Sequence, residues 1–451
     1  MTLLEQALCT ADDTKAIEFG PGVVGRTGDV FRRLFPGTPA LVVADENTLA
    51  AAGAPVLASL EAAGVATLPL VFPGTPIADY DQVSVVRERL GAAAIACSVG
   101  AGTLNDLVKL ASGELGQPYL HVATAASVDG YTAFGASISR DGFKITRPCP
   151  APAAVIADVD IMAAAPQRLT STGYGDLIEK IPAGADWLLA DTLGIEPIQP
   201  VAWDMVQTPL WAALADPDGI ARSEPAAVGR LAECALLSGL AMQATRSSRP
   251  ASGAGHQFSH MWEMEGHGLD WSPPLSHGFK VAVGTVASCA LWEAALALDL
   301  SALDIDQVVA TAPAADSVAA TVRRAVPPRV ADEAVRCSLA KHLEGDALRE
   351  RLTRIRTAWP DIQRRVRPQL KPAAEIQEWL RRAGAPYHPQ QIGIDRAHFR
   401  QTHFTAQMIR TRYTVLDLLL DVRQLTPVVD HLFAPGGFWG DDWPRGSAGT
   451  N

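Results

Sequence analysis

At 451 residues, 48% apolar and 19% charged, the chain has material for two to four domains of roughly 100–200 residues, and is neither a disulfide-stapled miniprotein nor a disordered polymer. Its 38 basic and 49 acidic side chains leave a formal charge of -11, which argues against a nucleic-acid or anionic-membrane partner, since no basic cluster stands out beyond the arginines between positions 349 and 367. Six scattered cysteines, Cys9, Cys97, Cys149, Cys234, Cys289 and Cys337, form no CxxC pair and fit a reducing, cytoplasmic setting. The opening MTLLEQALCTADDTK carries early acids and no basic n-region, so no secretory signal is read there. No uninterrupted apolar run reaches the roughly 18 residues of a membrane span.

Up to about residue 165, short apolar runs alternate with helical stretches. Strands are expected at 40–45, 65–72, 92–98, 119–124 and 154–157, with amphipathic helices at 81–90 and 105–110. Continuous apolar strands separated by helices predict a doubly wound parallel sheet covered on both faces, with ligands beyond the carboxyl ends of its strands. After residue 165 the strand signals fade, and three- and four-residue apolar spacing predicts helices over 228–244, 277–298, 332–352 and 404–422. The expected organisation is an α/β dinucleotide domain at 1–165, an all-helical metal and substrate domain at 166–433, and an irregular, Gly/Pro/Trp-rich tail at 434–451 that is dispensable for the active site.

Three constellations carry candidate chemistry. Ser98-Val-Gly100-Ala-Gly102-Thr103-Leu-Asn105-Asp106 follows a strand and opens a helix, where glycines admit a ligand to the backbone and free N–H groups favour an anion such as pyrophosphate. Asp45, ending an earlier strand, reads equally as a ribose acceptor or as a helix N-cap. The second constellation, Thr124-Ala-Ala-Ser127-Val-Asp129-Gly-Tyr-Thr132, offers hydroxyls and a carboxylate at another strand end, suited to a cofactor amide or a polyol; an ordinary polar loop would look the same.

The third joins Asp176, in Gly173-Tyr-Gly-Asp176-Leu-Ile-Glu-Lys180, with His256 and His260 in SGAGHQFSHMWE and His277 in HGFKVAVGT. Spacing of four puts His256 and His260 on one helix face, and a carboxylate with two imidazoles is a common open site for a divalent metal. By spacing alone, His267 competes as a ligand.

In these motifs the chain resembles the glycerol-1-phosphate dehydrogenases, a branch of the iron-containing alcohol dehydrogenase and dehydroquinate synthase superfamily. The resemblance runs from about residue 16 to 422 through GAGTLND, TAASVDGYT, GYGDLIEK, SGAGHQFSHMWE and HGFKVAVGT. It implies a dehydroquinate synthase-like fold, NAD or NADP, and one divalent metal ion, usually zinc, with nickel or iron as variants. It further implies that Asp176, His256 and His277 ligate the metal, that His260 and Asp129 meet the substrate, and that Gly100, Gly102, Thr103, Asp106, Thr124 and Ser127 line the cofactor. A homodimer is the family expectation, and Asp45 leans towards NADH. Two positions depart from the family pattern: Ala133 stands where a serine is frequent, and Gly255 where an acidic residue is.

The activity implied is reduction of dihydroxyacetone phosphate to sn-glycerol 1-phosphate, with His260 relaying a proton. Lys144, Lys180, Lys280, Arg410 and Arg412 are the basic residues from which a phosphate partner would come, and each reads first as a solvated charge. Glycerol or polyol dehydrogenation, a dehydroquinate synthase-like cyclisation and a non-catalytic nucleotide-binding homologue are the alternatives.

Overall fold

The computed structural model describes residues 2–140, 143–441 and 443, and the side chains of 143–146 are outside that description. Eight strands occur among these residues: β1 Ala16–Gly20, β2 Ala40–Asp45, β3 Thr67–Phe72, β4 Ile95–Gly100, β5 Tyr119–Ala123, β6 Ala136–Arg140, β7 Phe143–Arg147 and β8 Ala154–Asp158. Six form a parallel sheet in the order β1-β8-β5-β4-β2-β3, and β6 and β7 form an antiparallel hairpin.

The chain divides into two compact units. The first comprises Met1–Ile178, Gln199–Ala251 and Arg382–Ala385. Its sheet separates two apolar clusters: Val42 and Ala44 of β2 pack into one, Leu41 and Val43 into the other. This two-sided burial is why β2 reads as an unbroken apolar run. β3 is the exposed edge, and it carries Pro69, which a central strand would not tolerate. The expected strands at 40–45, 65–72, 92–98, 119–124 and 154–157 all form, with ends shifted by up to three residues. β1 and the hairpin were not anticipated, because β1 is short with Glu18 at its centre and β6 mixes Ser and Arg with its buried Ala136 and Ile138.

A division at 165 follows chain order, whereas the compact units are discontinuous. Helices Pro200–Leu214 and Pro225–Thr245 pack on one another and on Gln167–Leu177, within the unit that holds the sheet.

The second unit comprises Glu179–Ile198, Ser252–Arg381 and Pro386–Asn451 and is helical. Asp186 is its polar hub, accepting hydrogen bonds from the Trp292 indole at 3.0 Å and from the amides of Ala254 at 2.8 Å and Val415 at 2.9 Å. Two of the helices expected here are broken. The stretch 332–352 splits into Ala331–Lys341 and Gly345–Val366, where Gly345 takes φ +54°. The stretch 404–422 splits into the end of helix Arg396–Thr405, a 3-10 turn at Ala406–Ile409, an extended link and helix Val415–Asp421. A reciprocal cap between Thr414 and Asp417 starts the last of these afresh.

The tail beyond 433 is irregular where described, yet it is not detached. Trp439 is 1% exposed, and its amide donates to Leu432 O at 2.7 Å. Residue 442 and residues 444–451 lie outside the described residues. Pro225–Thr245 and His277–Leu296 are long and apolar enough to cross a membrane, but 72% and 89% of their most apolar windows are buried inside the protein, as in core helices.

Candidate active site

In the first unit, β5, β4 and β2 are neighbours in the sheet, so the loops leaving their carboxyl ends lie side by side. After β4 the chain enters helix Gly102–Glu114 with no side-chain cap, which leaves the amides of Gly102, Thr103 and Leu104 as an anion-attracting terminus. A Cβ on Gly100 would lie 2.4 Å from Leu104 Cδ1, and one on Gly102 would lie 3.1 Å from Val128 Cγ1, so the turn is glycine-dependent. The amide of Thr124 donates to Gly100 O at 3.1 Å, joining this loop to the next. Ser127 Oγ lies 3.1 Å from the Tyr131 hydroxyl.

Two residues expected at the cofactor have structural tasks. Asp45 caps the following helix, with Oδ1 accepting from Thr48 N at 2.8 Å, which is the N-cap alternative. Asp106 accepts from the Ser137 amide at 3.0 Å and anchors the β6–β7 hairpin.

Asp129 and Asp176 meet in this same unit. The Asp129 amide donates to Asp176 Oδ2 at 3.2 Å, and Asp129 Oδ2 accepts from Ser238 Oγ at 2.9 Å. Gly173 permits the approach, since a Cβ there would lie 1.9 Å from Ala126 O. Ser238, on helix Pro225–Thr245, had no signal in the sequence: a serine inside an apolar helix matches no motif.

The second unit gathers the histidines. Helices Ala254–Met264 and His277–Leu296 touch through Gly255 and Gly284, where a Cβ on Gly284 would lie 2.3 Å from Gly255 O. That contact brings the rings of His256, His260 and His277 together, with centroids 5.8 Å (His256–His260), 5.4 Å (His256–His277) and 5.7 Å (His260–His277) apart. It also explains the departure at Gly255, where a side chain would run into Glu179 Cγ at 2.8 Å. Glu179 brings a carboxylate there from another element.

The partners of the three rings differ in kind. His256 Nδ1 lies 3.0 Å from Glu179 Oε2, and His277 Nδ1 lies 2.9 Å from Glu263 Oε1. At His277 the contact is a hydrogen bond, which holds the proton on Nδ1 and leaves Nε2 as a lone-pair donor, the arrangement of metal-bound histidines, whereas Glu179 stands beside His256 as a charge contact only. His260 Nδ1 instead receives Arg410 Nη2 at 2.8 Å. A guanidinium only donates, so Nδ1 is the acceptor and the neutral ring carries its proton on Nε2. Burial, reinforced by the Arg410 charge, holds the His260 pKa well below the ordinary histidine value.

His267 is committed elsewhere, donating from Nε2 to Ile392 O at 2.6 Å. Glu179 and Glu263 were inside quoted motifs but carried no assigned role, and their spacing alone does not single them out. Arg412 is a structural tie, donating to Ser252 O at 2.8 Å and Ser252 Oγ at 2.7 Å. Lys180 and Lys280 are buried, and the Lys144 side chain lies outside the described residues.

Residues 18–166 match the family model of iron-containing alcohol dehydrogenases. The chain is 36% identical over 257 residues to a glycerol-1-phosphate dehydrogenase [NAD(P)+] of Halalkalibacterium halodurans, covering 56% of this chain and 64% of that relative's length. It is 35% identical over 268 residues to a glycerol-1-phosphate dehydrogenase [NAD(P)+] of Methanosarcina acetivorans, covering 59% of this chain and 73% of the relative. In fold it is similar to a probable glycerol dehydrogenase from Sinorhizobium meliloti, with a TM-score of 0.58 at 16% identity, covering 92% of this chain and 97% of that one. The sequence motifs, the parallel sheet with its helical partner and these likenesses agree: the chain belongs to the glycerol-1-phosphate dehydrogenase family of the iron-containing alcohol dehydrogenases.

Proposed function

We propose that the protein reduces dihydroxyacetone phosphate to sn-glycerol 1-phosphate with NADH or NADPH and one divalent metal ion, and catalyses the reverse oxidation. The observation that carries this reading is the division among the three clustered imidazoles. His277 is held by a carboxylate through an Nδ1 hydrogen bond, His256 has a carboxylate 3.0 Å from its Nδ1, and His260 is backed by a guanidinium.

The donor set fits a divalent cation. His277 presents Nε2, and His256 and Asp176 are the other two ligands we assign; the chain runs only three residues from Asp176 to Glu179, whose carboxylate lies 3.0 Å from His256 Nδ1. When bound, the cation supplies Lewis acidity at the ketone oxygen, and the reduced nicotinamide supplies the hydride. Glu263 keeps the His277 ring in the required tautomer, and Glu179 sets a negative charge beside His256. His260, neutral and carrying its proton on Nε2, donates a hydrogen bond towards substrate oxygen, which orients the ketone and opens a path for the proton the product alcohol needs. Asp129, its carboxylate held by Ser238, accepts from a substrate hydroxyl. The uncapped terminus at Gly102–Leu104 receives the pyrophosphate of the dinucleotide, with Thr124 and Ser127 beside it.

The test is metal analysis of the purified protein, with turnover measured on dihydroxyacetone phosphate and dihydroxyacetone and stereochemical assignment of the product. A metal-dependent preference for the phosphorylated ketone, giving the sn-1 product, is expected. Equal turnover of the two ketones, or the sn-3 product, would remove this reading.

A further inference from the structure

The second unit contains an arginine whose chemistry the reaction above leaves unused. Arg410 begins the extended link after the turn Ala406–Ile409, with φ -143° and ψ 148°. This is where the sequence predicted one continuous helix, and the break turns the side chain to His260. Of the five N–H donors of its guanidinium, one is given to His260 Nδ1 at 2.8 Å. No carboxylate among the described residues lies within ion-pair distance of it. The group is nevertheless removed from bulk water: burial lowers its pKa, and Glu263 and Glu333 are close enough to favour its charge without bonding to it.

A half-buried guanidinium with spare donors and no counter-ion is costly unless an anion completes it. Two other basic residues near the motifs are already engaged. Arg412 is spent on Ser252, and Lys109, the buried lysine of helix Gly102–Glu114, is spent on the carbonyls of Gly130, Ala133 and Gly135. Arginine also matches phosphate geometrically, since its planar fork presents parallel N–H groups to two oxygens.

We propose that Arg410 is the phosphate anchor of the substrate site, binding the phosphoryl group of a phosphorylated ketone while its remaining donor fixes the tautomer of His260. This rests on the reading of the site as a dehydrogenase of a phosphorylated three-carbon ketone, and it names the residue that makes that substrate class preferred. One side chain then couples recognition to orientation: the guanidinium that holds the phosphate also fixes the imidazole proton that faces the reacting end. In a chain of charge -11, a local cation of this kind is what admits a phosphate dianion.

The metal-loaded enzyme and its Arg410→Gln and Arg410→Lys variants decide the matter through the ratio of kcat/KM for dihydroxyacetone phosphate to that for dihydroxyacetone. The expected result is a fall of about a hundredfold in that ratio for Gln, carried by KM of the phosphorylated ketone, with Lys intermediate because it keeps charge but not the fork. A role confined to posing His260 would slow both ketones alike, so a ratio unchanged in both variants overturns the proposal. Inorganic phosphate gives a readout independent of turnover: it should raise the melting temperature of the wild type and not that of Arg410→Gln. If the wild type shows no preference for the phosphorylated ketone, the dehydrogenase reading fails by itself. The anchor then survives only if the phosphate shift is seen in the wild type and lost in Arg410→Gln, and equal shifts, or none, overturn it.

Discussion

Nδ1 of His277 lies 2.9 Å from Oε1 of Glu263, which is three residues after His260 on the neighbouring helix. The pair links the two histidine-bearing helices through a carboxylate that itself ligates nothing in the proposed metal site. Removing such a support typically costs about 10–100-fold in metal affinity. Glu263→Ala is therefore expected to weaken zinc or nickel binding by about that factor, and Glu263→Gln less, because its amide oxygen still accepts from Nδ1. Competition with a chromophoric chelator measures both, and an unchanged affinity in Glu263→Ala would show that Glu263 does not orient the ring.

Gly255 and Gly284 set the distance between those helices. A methyl group on Gly284 would lie 2.3 Å from Gly255 O, a backbone atom that cannot swing away. Gly284→Ala is expected to destabilise the protein by about 1–3 kcal/mol, the usual cost of overpacking. Because the helices must separate, the metal should also bind more weakly. Urea unfolding of the metal-free protein isolates the first effect; a midpoint equal to wild type would mean that the helices slide without cost.

What was readable in advance follows from the kind of signal each feature leaves. The strands and long core helices were legible because burial on both faces, or all round, writes continuous apolar runs. Asp176, His256, His260 and His277 were legible because few residue types ligate metals and two of these stand four apart. Ser238, and the roles of Glu179 and Glu263, were not, since their partners are 109, 77 and 14 residues away and spacing says nothing about such pairs. Asp45 shows the opposite limit: a carboxylate at a strand end has the same sequence context whether it meets a ribose or caps a helix, and here Oδ1 caps.

His121, on β5, is fully buried and stacks on Tyr131 at 5.0 Å, with neither ring nitrogen hydrogen-bonded among the described residues. Burial, with help from Lys109, pushes its pKa down to about 3. The sign follows directly. Below pH 6.5 the unfolded chain takes up a proton that the folded protein refuses until about pH 3, so stability is lost as pH falls through that window. The loss attributable to this group is about 1.4 kcal/mol per pH unit. His121→Phe should flatten the acid limb of stability against pH by about that slope between pH 6 and 5, without loss at pH 7.5. Parallel limbs for the two proteins would assign the acid sensitivity to other groups, such as His403, which burial holds at about 4.

Trp439 bears on the expectation that everything after 433 is dispensable. Its ring meets Phe399 edge-on at 4.9 Å; Phe399 in turn packs at 6.2 Å from Phe258, which lies between His256 and His260 on the metal-bearing helix. The Trp443 indole donates to Trp439 O at 2.8 Å and holds the turn closed. Ending the chain after Trp443 should therefore leave melting temperature and metal content unchanged, whereas ending it after Phe433 should lower both. Trp439→Ala isolates the cause, with an expected cost of about 3–5 kcal/mol for emptying a buried tryptophan site. If the shorter truncation is harmful too, residues 444–451 have a structural role of their own. If Trp439→Ala is silent while truncation after Phe433 is not, the backbone turn at Gly436–Gly440, and not the ring, supports the helix that carries His256 and His260.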